Sequence, residues 1–506
     1  MTDLMRTNAA RPEPRLTDEQ KAIVEAPESR TAITAYAGTG KTATLKALAE
    51  ARPRERILYL AFNRAMADES RILFAACPNV EVRTIHSLAF RHEGHRYRDT
   101  LGEFRALDIA PLIFKSKGGD YSSHYGEVKE IHDEFCRWLL SQSLSLDDFF
   151  KEKGRPRVAG KVKAGVKKLW KACVDGKFTM PHNGYLKLFQ INSRGMGLGY
   201  ARVMVDEAQD LNDCMIDVIM SRDWNVTLVG DPYQQIYGFN GAVNALGKAG
   251  TYGIAKYYLT RSFRCPDDVI SKANMYLKLM GAEKEFTGTG TAASRNSADN
   301  MVLARTNAGV FDHVAENMRD VSFHFNGGFD GYDFAVLLDM ARLKAGLRTS
   351  HPFIKRFRSL AALEEYAYAV CDLPTITRLK IAGRYGSGIF SVYEEMKRRQ
   401  APYKQGADVT VSTVHKAKGQ EASHVRLVGD FLSLNEAIER LDRLVRNASR
   451  GPADGGNGFG INDTMEEFRL MYVAITRTLD FLAIPAEYCI DGASMSRFRS
   501  LAAQLS

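Results

Sequence analysis

Hydrophobic residues occur along this chain in short runs that are separated by longer segments of helical periodicity. Short apolar runs bounded by helical patterns are typical of parallel strands in sheets that are covered on both faces. The runs that fit this description are 31–35, 57–61, 203–205, 227–229, 301–304, 409–413, 425–428 and 481–484. The pattern therefore predicts an α/β protein with parallel sheets.

Helical periodicity is clearest at 42–50 and 466–477, and Leu45, Leu48 and Ala49 fall on one face of the first of these helices. The predicted strands form one group before about residue 262 and a second group after it, and a mainly helical segment interrupts each group. We therefore predict two α/β domains, each with an inserted helical subdomain. The predicted boundaries are 1–88, 89–198 (insertion) and 199–262 for the first domain, and 263–330, 331–400 (reduced insertion) and 401–506 for the second.

Apart from the net charge of the chain, the amino-acid composition adds little to this prediction. The 506 residues carry a net charge of +9, which suits a polyanionic partner without requiring one. No apolar run reaches the roughly 18 residues that span a bilayer, and residues 1–15 lack the apolar stretch of a secretory signal. The cysteines are dispersed singly, which is typical of reduced thiols. We expect an intracellular protein with no membrane partner.

The clearest chemical motif follows the first predicted strand. Residues 35–42 read Ala-Tyr-Ala-Gly-Thr-Gly-Lys-Thr and lead directly into a predicted helix. Glycines let such a loop curl so that its N–H groups point at phosphate oxygens, and the helix N-terminus adds positive potential. Lys41 would bind the β- and γ-phosphates of a nucleotide, and Thr42 would bind Mg²⁺. The predicted phosphate-binding residues are Ala37, Gly38, Thr39, Gly40, Lys41 and Thr42.

A second motif supplies carboxylates. Residues 203–210 read Val-Met-Val-Asp-Glu-Ala-Gln-Asp, an apolar strand that ends in two acids. On its own such an ending is more often a solvent-exposed strand end than a catalytic one. Beside a phosphate loop, it places Asp206 next to the metal and makes Glu207 the candidate general base for an attacking water.

The two motifs, in this order, resemble the UvrD/Rep/PcrA branch of the superfamily 1 helicases, and the resemblance extends along nearly the whole chain. Pro-His-Asn-Gly-Tyr-Leu-Lys at 181–187 and Thr-Val-His-Lys-Ala-Lys-Gly at 413–419 are most similar to the helicase part of the F-box DNA helicases, without their F-box region. The resemblance implies two RecA-like domains, ATP and Mg²⁺ as cofactors, and movement from 3′ to 5′ along single-stranded DNA.

The resemblance also implies nucleotide contacts outside the phosphate loop. Gln20, at the end of Leu-Thr-Asp-Glu-Gln, has an amide that would read the adenine edge. Gln234 would sense the γ-phosphate from the segment Gly-Asp-Pro-Tyr-Gln-Gln at 230–235. Glu421 would contact the ribose, although Gln420 stands where relatives usually have an apolar residue.

The second domain is expected to complete the ATP site. In Thr-Arg-Ser-Phe-Arg at 260–264, Phe263 stands where relatives usually have tyrosine and would stack on adenine, while Arg264 would contact the γ-phosphate. Arg477, at the end of a predicted helix, is the second candidate arginine finger. A permanently charged guanidinium neutralises charge in the transition state of phosphoryl transfer. The predicted catalytic residues are Lys41, Glu207, Gln234, Arg264 and Arg477.

DNA contacts are expected from several further segments. Tyr237 and Phe239 offer flat faces on which bases stack, although relatives often have arginine and tryptophan where this chain has Gly238 and Phe239. The other candidates would contact bases or backbone phosphates. The full set is Phe62, Asn63, Arg64, Thr84, His86, Tyr237, Phe239, Arg305 and His415.

The resulting hypothesis is an ATP-driven motor whose two domains close on ATP and reopen after hydrolysis, with single-stranded DNA and single-strand/duplex junctions as partners. An alternative is a remodeller that strips proteins such as recombinase filaments from DNA without unwinding it. The reduced second insertion is compatible with that role. A scaffold protein with a degenerate ATPase fold is disfavoured, because the full set of catalytic residues is present.

Overall fold

The computed structural model describes residues 16–115, 121–153, 155–236, 238, 243, 245–248, 253–288, 299–369, 372–448 and 461–505. The strands are β1 Arg30–Ala35, β2 Ile57–Ala61, β3 Val80–Thr84, β4 Arg202–Val205, β5 Asn225–Gly230, β6 Ala255–Leu259, β7 Asn300–Ala304, β8 Phe323–Phe325, β9 Val409–Thr413, β10 Ala422–Leu427 and β11 Thr478–Ala483.

The helices surround the strands and fill the segments between them. They are α1 Asp18–Val24, α2 Lys41–Glu50, α3 Arg64–Leu73, α4 Ile85–His92, α5 Ala110–Ile113, α6 Tyr125–Leu140, α7 Leu146–Phe149, α8 Gly160–Val174, α9 His182–Asn192, α10 Asp213–Met220, α11 Asp267–Leu279, α12 Asn307–Asn317, α13 Ala335–Lys344, α14 Leu360–Ala369, α15 Leu373–Tyr385, α16 Ile389–Arg399, α17 Val414–Ala417, α18 Leu434–Ala448, α19 Ile461–Ile475 and α20 Gly492–Leu505.

The first sheet has the strand order β3-β2-β4-β5-β1-β6, and every pair in it is parallel. Its inner strands are apolar because they are buried on both faces: every residue of β2 and β4 is buried, and separate hydrophobic clusters lie on the two sides. Parallel strands bring their carboxyl ends to one edge, so the segments that follow β1, β4 and β5 are neighbours there.

The second sheet has the order β11-β10-β7-β9-β8 and is also entirely parallel. Helices cover it through two further hydrophobic clusters. The predicted fold class, α/β with two RecA-like parallel-sheet domains, is therefore confirmed.

The sequence pattern missed β3, β6 and β8. The residues of β3 (Val-Glu-Val-Arg-Thr) and β6 (Ala-Lys-Tyr-Tyr-Leu) lie at the two edges of the first sheet, where one side of the strand faces away from the core and takes polar residues. Strand β8 has only three residues and lies at the edge of the second sheet. These three edge strands therefore lack the apolar run that identifies central ones, whereas β11, the other edge strand of the second sheet, keeps one and was predicted.

Three predicted elements start at least three residues earlier in the structure. The strand predicted at 425–428 runs over Ala422–Leu427, the strand predicted at 481–484 runs over Thr478–Ala483, and the helix predicted at 466–477 runs over Ile461–Ile475. Arg477 consequently lies beyond the end of α19 instead of inside it. This position frees its side chain to fold back toward the helix end, where it donates a hydrogen bond to Val473 O (3.0 Å).

Helices α5 to α9 lie between β3 and β4, and α13 to α16 lie between β8 and β9, so the structure has helical segments in both places where insertions were expected. The two helical segments contact each other: Arg356 donates to Asp108 (2.7 Å), and Arg105 lies 4.6 Å from the ring centre of Phe353. The domain boundaries themselves stay a prediction. Within the described parts of the chain, no helix has the length and apolar content needed to cross a membrane.

Candidate nucleotide site and nucleic-acid interface

The loop between β1 and α2 has the backbone of a phosphate cradle. Gly38 and Gly40 adopt left-handed conformations, with φ values of 69° and 81°, which side-chain-bearing residues rarely adopt. Gly40 also occupies the N-cap position of α2 and supplies no side chain to the first-turn N–H groups of that helix. These N–H groups therefore point toward the site where an anion would bind.

The segment Ser262 to Arg264 packs directly on this loop. A Cβ atom at Gly38 would lie 2.4 Å from the Cβ of Arg264 and 2.9 Å from Ser262 Oγ, so only glycine fits there. The Phe263 N–H donates to Gly38 O (2.9 Å), and Ser262 Oγ donates to Ala37 O (3.0 Å). The structure therefore brings the two segments together, although they are far apart in the sequence.

The predicted adenine contacts lie side by side next to Gly40. A Cβ atom there would lie 2.9 Å from Gln20 Nε2 and 3.7 Å from the Phe263 ring. The Gln20 side chain is buried and held by Thr17, whose N–H donates to Gln20 Oε1 (2.9 Å). The ring of Phe263 is 48% exposed, which is unusual for a phenylalanine. An open ring face next to a fixed amide fits a purine base.

Lys41 and Glu207 form an ion pair at the centre of the site, with Lys41 Nζ 2.6 Å from Glu207 Oε1. Burial is the largest single influence on each group and opposes its charge, but the combined attraction of the neighbouring opposite charges, chiefly that of the partner, outweighs it. The pKa of Lys41 is therefore raised, and that of Glu207 is lowered to about 2. Both groups are therefore charged at neutral pH. Glu207 also has a φ of 53°, a strained conformation that costs about 1–3 kcal/mol and is typical of functional sites.

Asp206 is buried beside this pair. Its Oδ2 accepts from the Tyr59 hydroxyl (2.7 Å), and its Oδ1 accepts from the Glu207 N–H (2.9 Å). Burial raises its pKa. The Asp206 carboxylate and the Thr42 hydroxyl are oxygen donors of the kind that Mg²⁺ binds. Among the described residues, no group of three or more His, Cys, Asp or Glu side chains is placed to hold a metal ion.

The two predicted arginine fingers of the second domain lie close to each other. Arg264 forms an ion pair with Glu421, the predicted ribose contact. Arg477 is fully buried, and its Nη2 donates to Gln234 Oε1 (3.1 Å). Burial, reinforced by the nearby Arg264, lowers the pKa of Arg477 to about 10. Two guanidinium groups that repel each other beside a phosphate loop favour the binding of an anion.

The structure also shows hydrogen-bonding residues that had no role in the sequence-based prediction. Gln209 Nε2 donates to Glu207, and Gln209 Oε1 accepts from the Asp231 N–H (3.1 Å). The Asp231 carboxylate in turn accepts from Gln234 Nε2 (2.9 Å) and from the Tyr472 hydroxyl (3.0 Å). Their presence inside the recognised motifs was the only signal in the sequence. Together they connect Glu207 to the second domain.

Lys418 adds a further link between the two domains. Its ammonium pairs with Asp210 and donates to Gln234 O (3.0 Å). Asp210 is buried, and burial raises its pKa to about 6 despite the opposing charge of Lys418. The segment that carries Gln234 is therefore held by the second domain through both its backbone and its side chain.

Several predicted DNA contacts follow β2 and β3, at the same sheet edge as the phosphate loop. Asn63 is the N-cap of α3 and accepts from the Met66 N–H (3.0 Å), and Thr84 is the N-cap of α4 and accepts from the Ser87 N–H (3.1 Å). The Arg64 side chain is 95% exposed, whereas Phe62 is half-buried. The caps give Asn63 and Thr84 structural roles, and Arg64 is open to a phosphate.

The remaining DNA candidates are more enclosed. His86 Nε2 lies 3.1 Å from Asn183 Oδ1, and burial lowers its pKa. The Arg305 guanidinium makes a two-pronged ion pair with Glu467, so a phosphate would have to compete with that carboxylate. Burial, with a smaller effect of nearby Arg305, lowers the pKa of His415 to about 4, and His415 contacts the Ile236 backbone. Tyr237 and Phe239 lie outside the described residues.

Two RecA-like domains, with a phosphate loop and acidic strand end on one and paired arginines on the other, define the class of P-loop nucleotide-binding proteins with tandem RecA-like domains. A family described as AAA domain matches residues 19–240. The chain is 30% identical over 513 residues to F-box DNA helicase 1 of Gallus gallus, an alignment that covers 92% of this chain and 48% of the relative.

Two further relatives are similar. F-box DNA helicase protein 1 of Schizosaccharomyces pombe is 26% identical over 514 residues, 91% of this chain and 56% of that protein. A probable DNA helicase II homolog of Mycoplasma genitalium is 32% identical over 95 residues, 17% of this chain and 14% of that protein. The chain thus spans about half the length of the F-box relatives. The chain is similar to DNA helicases over most of its length, which confirms the predicted resemblance to a superfamily 1 DNA helicase.

Proposed function

We propose that this chain hydrolyses ATP to move along single-stranded DNA from 3′ to 5′ and to unwind duplex DNA at single-strand/duplex junctions. The observation that carries the proposal is the position of Arg264 and Arg477. Both belong to the predicted second domain, yet one packs on the phosphate loop of the first and the other bonds to its Gln234. The site is therefore complete only when the two domains are together.

Each residue of the site has a role in this proposal. Lys41 would leave Glu207 to bind the β- and γ-phosphates, since a polyanion is a stronger partner than one carboxylate. Glu207, released from the ion pair, would accept a proton from the attacking water. Arg264 and Arg477 would neutralise the charge that develops on the transferred phosphoryl group. Mg²⁺, held by Thr42 and Asp206, would polarise the phosphate oxygens when bound.

The proposed coupling of ATP hydrolysis to DNA movement rests on the edge of the first sheet that bears the phosphate loop. The segments after β2 and β3, which carry the DNA candidates Phe62 and His86, lie on the edge that bears the phosphate loop. Closing and opening of the two domains around ATP would therefore move groups that grip DNA. The direction of movement is proposed from the family resemblance, and a role in DNA repair or recombination control is proposed from the same source.

A second candidate function is the removal of proteins, recombinase filaments among them, from single-stranded DNA without strand separation. The compact segment of α13 to α16 favours it, because a small insertion offers little surface for a duplex. Both functions predict the same ATPase. They differ in whether a labelled strand is released from a partial duplex or a protein is released from a single strand.

The proposed function is tested by steady-state ATP hydrolysis with a single-stranded DNA oligonucleotide, RNA of equal length, duplex DNA or no nucleic acid. We expect single-stranded DNA to stimulate turnover strongly and the others to stimulate it less. A rate of ATP hydrolysis that is the same with and without nucleic acid would support an ATPase but contradict a DNA motor. Stimulation by RNA equal to that by DNA would change the proposed substrate.

Replacing Phe263 by alanine is expected to raise the KM for ATP by roughly 10-fold, because stacking of an aromatic ring on a base contributes about 1–3 kcal/mol. Phe263→Tyr, which keeps the ring, should leave KM nearly unchanged. The measurement is ATP hydrolysis as a function of ATP concentration. An unchanged KM in Phe263→Ala would remove this residue from the adenine site.

Replacing Phe239 by alanine is expected to lower the stimulation of ATP hydrolysis by single-stranded DNA much more than the basal rate, because a stacking surface for bases is lost. The measurement is the ratio of the two rates. Phe481→Ala is the matched control, since Phe481 is 59% exposed on β11, away from the site. If both rates fall equally, Phe239 has a packing role.

A further inference from the structure

Tyr472 lies where three segments of the two domains meet. It belongs to α19 of the second domain and is fully buried. Its hydroxyl donates to Asp231 Oδ2 (3.0 Å) and accepts from the N–H of Ala37 in the phosphate loop (3.3 Å). Burial, reinforced by the charge of Asp231, raises the pKa of Tyr472 well above its usual value, so the hydroxyl keeps its proton and donates.

Two routes lead from Tyr472 to Arg477. Through side chains, Asp231 Oδ2 also accepts from Gln234 Nε2 (2.9 Å), and Gln234 Oε1 accepts from Arg477 Nη2 (3.1 Å). Through the end of α19, Thr476 Oγ1 donates to Tyr472 O (2.9 Å) and accepts from Arg477 Nη2 (3.4 Å). The tyrosine therefore contacts the phosphate loop on one side and holds the partners of the arginine on the other.

We propose that Tyr472 is a positioning residue, which sets Arg477 relative to the phosphate loop through Asp231 and Gln234. The inference rests on the proposed ATPase function and adds a residue to it. A phenylalanine would fill nearly the same volume on α19, so packing alone does not require the hydroxyl. The hydroxyl fixes the distance between the phosphate loop and the Arg477 guanidinium.

This arrangement predicts an effect on turnover and not on ATP binding. A guanidinium that neutralises transition-state charge acts only when it is accurately placed, and a misplacement of about 1 Å costs up to 10²-fold in rate. Loss of the hydroxyl leaves Asp231 with Gln234 as its remaining side-chain donor, which loosens Gln234 and hence Arg477. The Ala37 N–H loses the Tyr472 hydroxyl as its acceptor at the same time and becomes available to a phosphate oxygen. We therefore expect no weakening of ATP binding.

The test is Tyr472→Phe, with Tyr276→Phe as the matched control. Tyr276 is also buried in the second domain, and its hydroxyl donates to Tyr488 O (2.8 Å), away from the site. For Tyr472→Phe we expect kcat of the DNA-stimulated ATPase to fall about 10-fold, with KM for ATP within about twofold of the wild-type value. For Tyr276→Phe we expect both parameters to be unchanged.

A double-mutant cycle separates positioning from packing. In an Arg477→Lys background, which keeps a cation and measurable turnover, Tyr472→Phe should lower kcat by less than about twofold, because the group that it positions is gone. An undiminished fall in that background would overturn the inference, as would a wild-type kcat for Tyr472→Phe or a rise in KM equal to the fall in kcat. If the wild-type chain itself hydrolyses no ATP with DNA present, the proposed function fails, and the inference fails with it. The wild-type rate therefore distinguishes the two failures.

Discussion

Lys41→Ala should reduce ATP hydrolysis by about 10²–10³-fold, because the substitution removes the ammonium group that would bind the β- and γ-phosphates. The same substitution leaves Glu207 without its ion-pair partner. Burial then acts on that carboxylate unopposed by Lys41, which raises its pKa from about 2. The measurement is steady-state ATP hydrolysis with saturating single-stranded DNA, together with titration of a fluorescent ATP analogue. We expect nucleotide binding to weaken as well.

The surface pair Lys46–Glu50, on the same helix α2, provides the matched control. Its charged atoms are 3.6 Å apart and its side chains are 36% and 51% exposed, so Lys46→Ala removes a lysine from the same helix without touching the site. Exposed pairs of this kind contribute about 0–1 kcal/mol to stability. Near-normal turnover in Lys41→Ala, with Lys46→Ala also normal, would mean that the nucleotide site has been placed wrongly.

Glu207→Gln should retain ATP binding and lose hydrolysis, with kcat lower by about 10²–10⁴-fold, because an amide cannot accept the proton of the attacking water. The glutamine keeps the size of the side chain. It removes the charge that holds Lys41 away from the phosphates, so the affinity for ATP should be equal to or higher than that of the wild-type chain. The measurements are single-turnover hydrolysis and binding of the fluorescent analogue.

Glu50→Gln, the other half of the surface pair, is the control for this charge change. If Glu207→Gln binds ATP and hydrolyses it at a rate close to that of the wild-type chain, Glu207 is not the general base. If binding is lost while the melting temperature is unchanged, the carboxylate serves the nucleotide pocket and not the chemistry.

The central parts of the fold and the site were predictable from the sequence for a physical reason. Central parallel strands are buried on both faces, so β1, β2 and β4 appear as apolar runs, and the glycines of the phosphate loop are required by its positive φ angles. Lys41 follows β1 and its loop, and Glu207 follows β4, so both candidates come directly from that pattern. Local sequence determines these features.

Other features depend on contacts between residues that are distant in the chain. Tyr472 and Asp231 are 241 positions apart, and no local pattern indicates that one hydroxyl joins them. The ion pair between Lys41 and Glu207 and the pairing of Arg305 with Glu467 are equally non-local. The edge strands β3 and β6 were not predicted, because a strand that is exposed on one side lacks a continuous apolar run. The sequence therefore proposes candidate residues for the site but does not indicate how these residues bond to each other.

The most direct test of the proposed motor is the displacement of streptavidin from single-stranded oligonucleotides that carry biotin at the 5′ or the 3′ end, with Lys41→Ala as the control. The account predicts release from the 5′ end that requires ATP hydrolysis, little release from the 3′ end, and none with Lys41→Ala. Release from neither end by a chain whose ATPase is stimulated by DNA would contradict it.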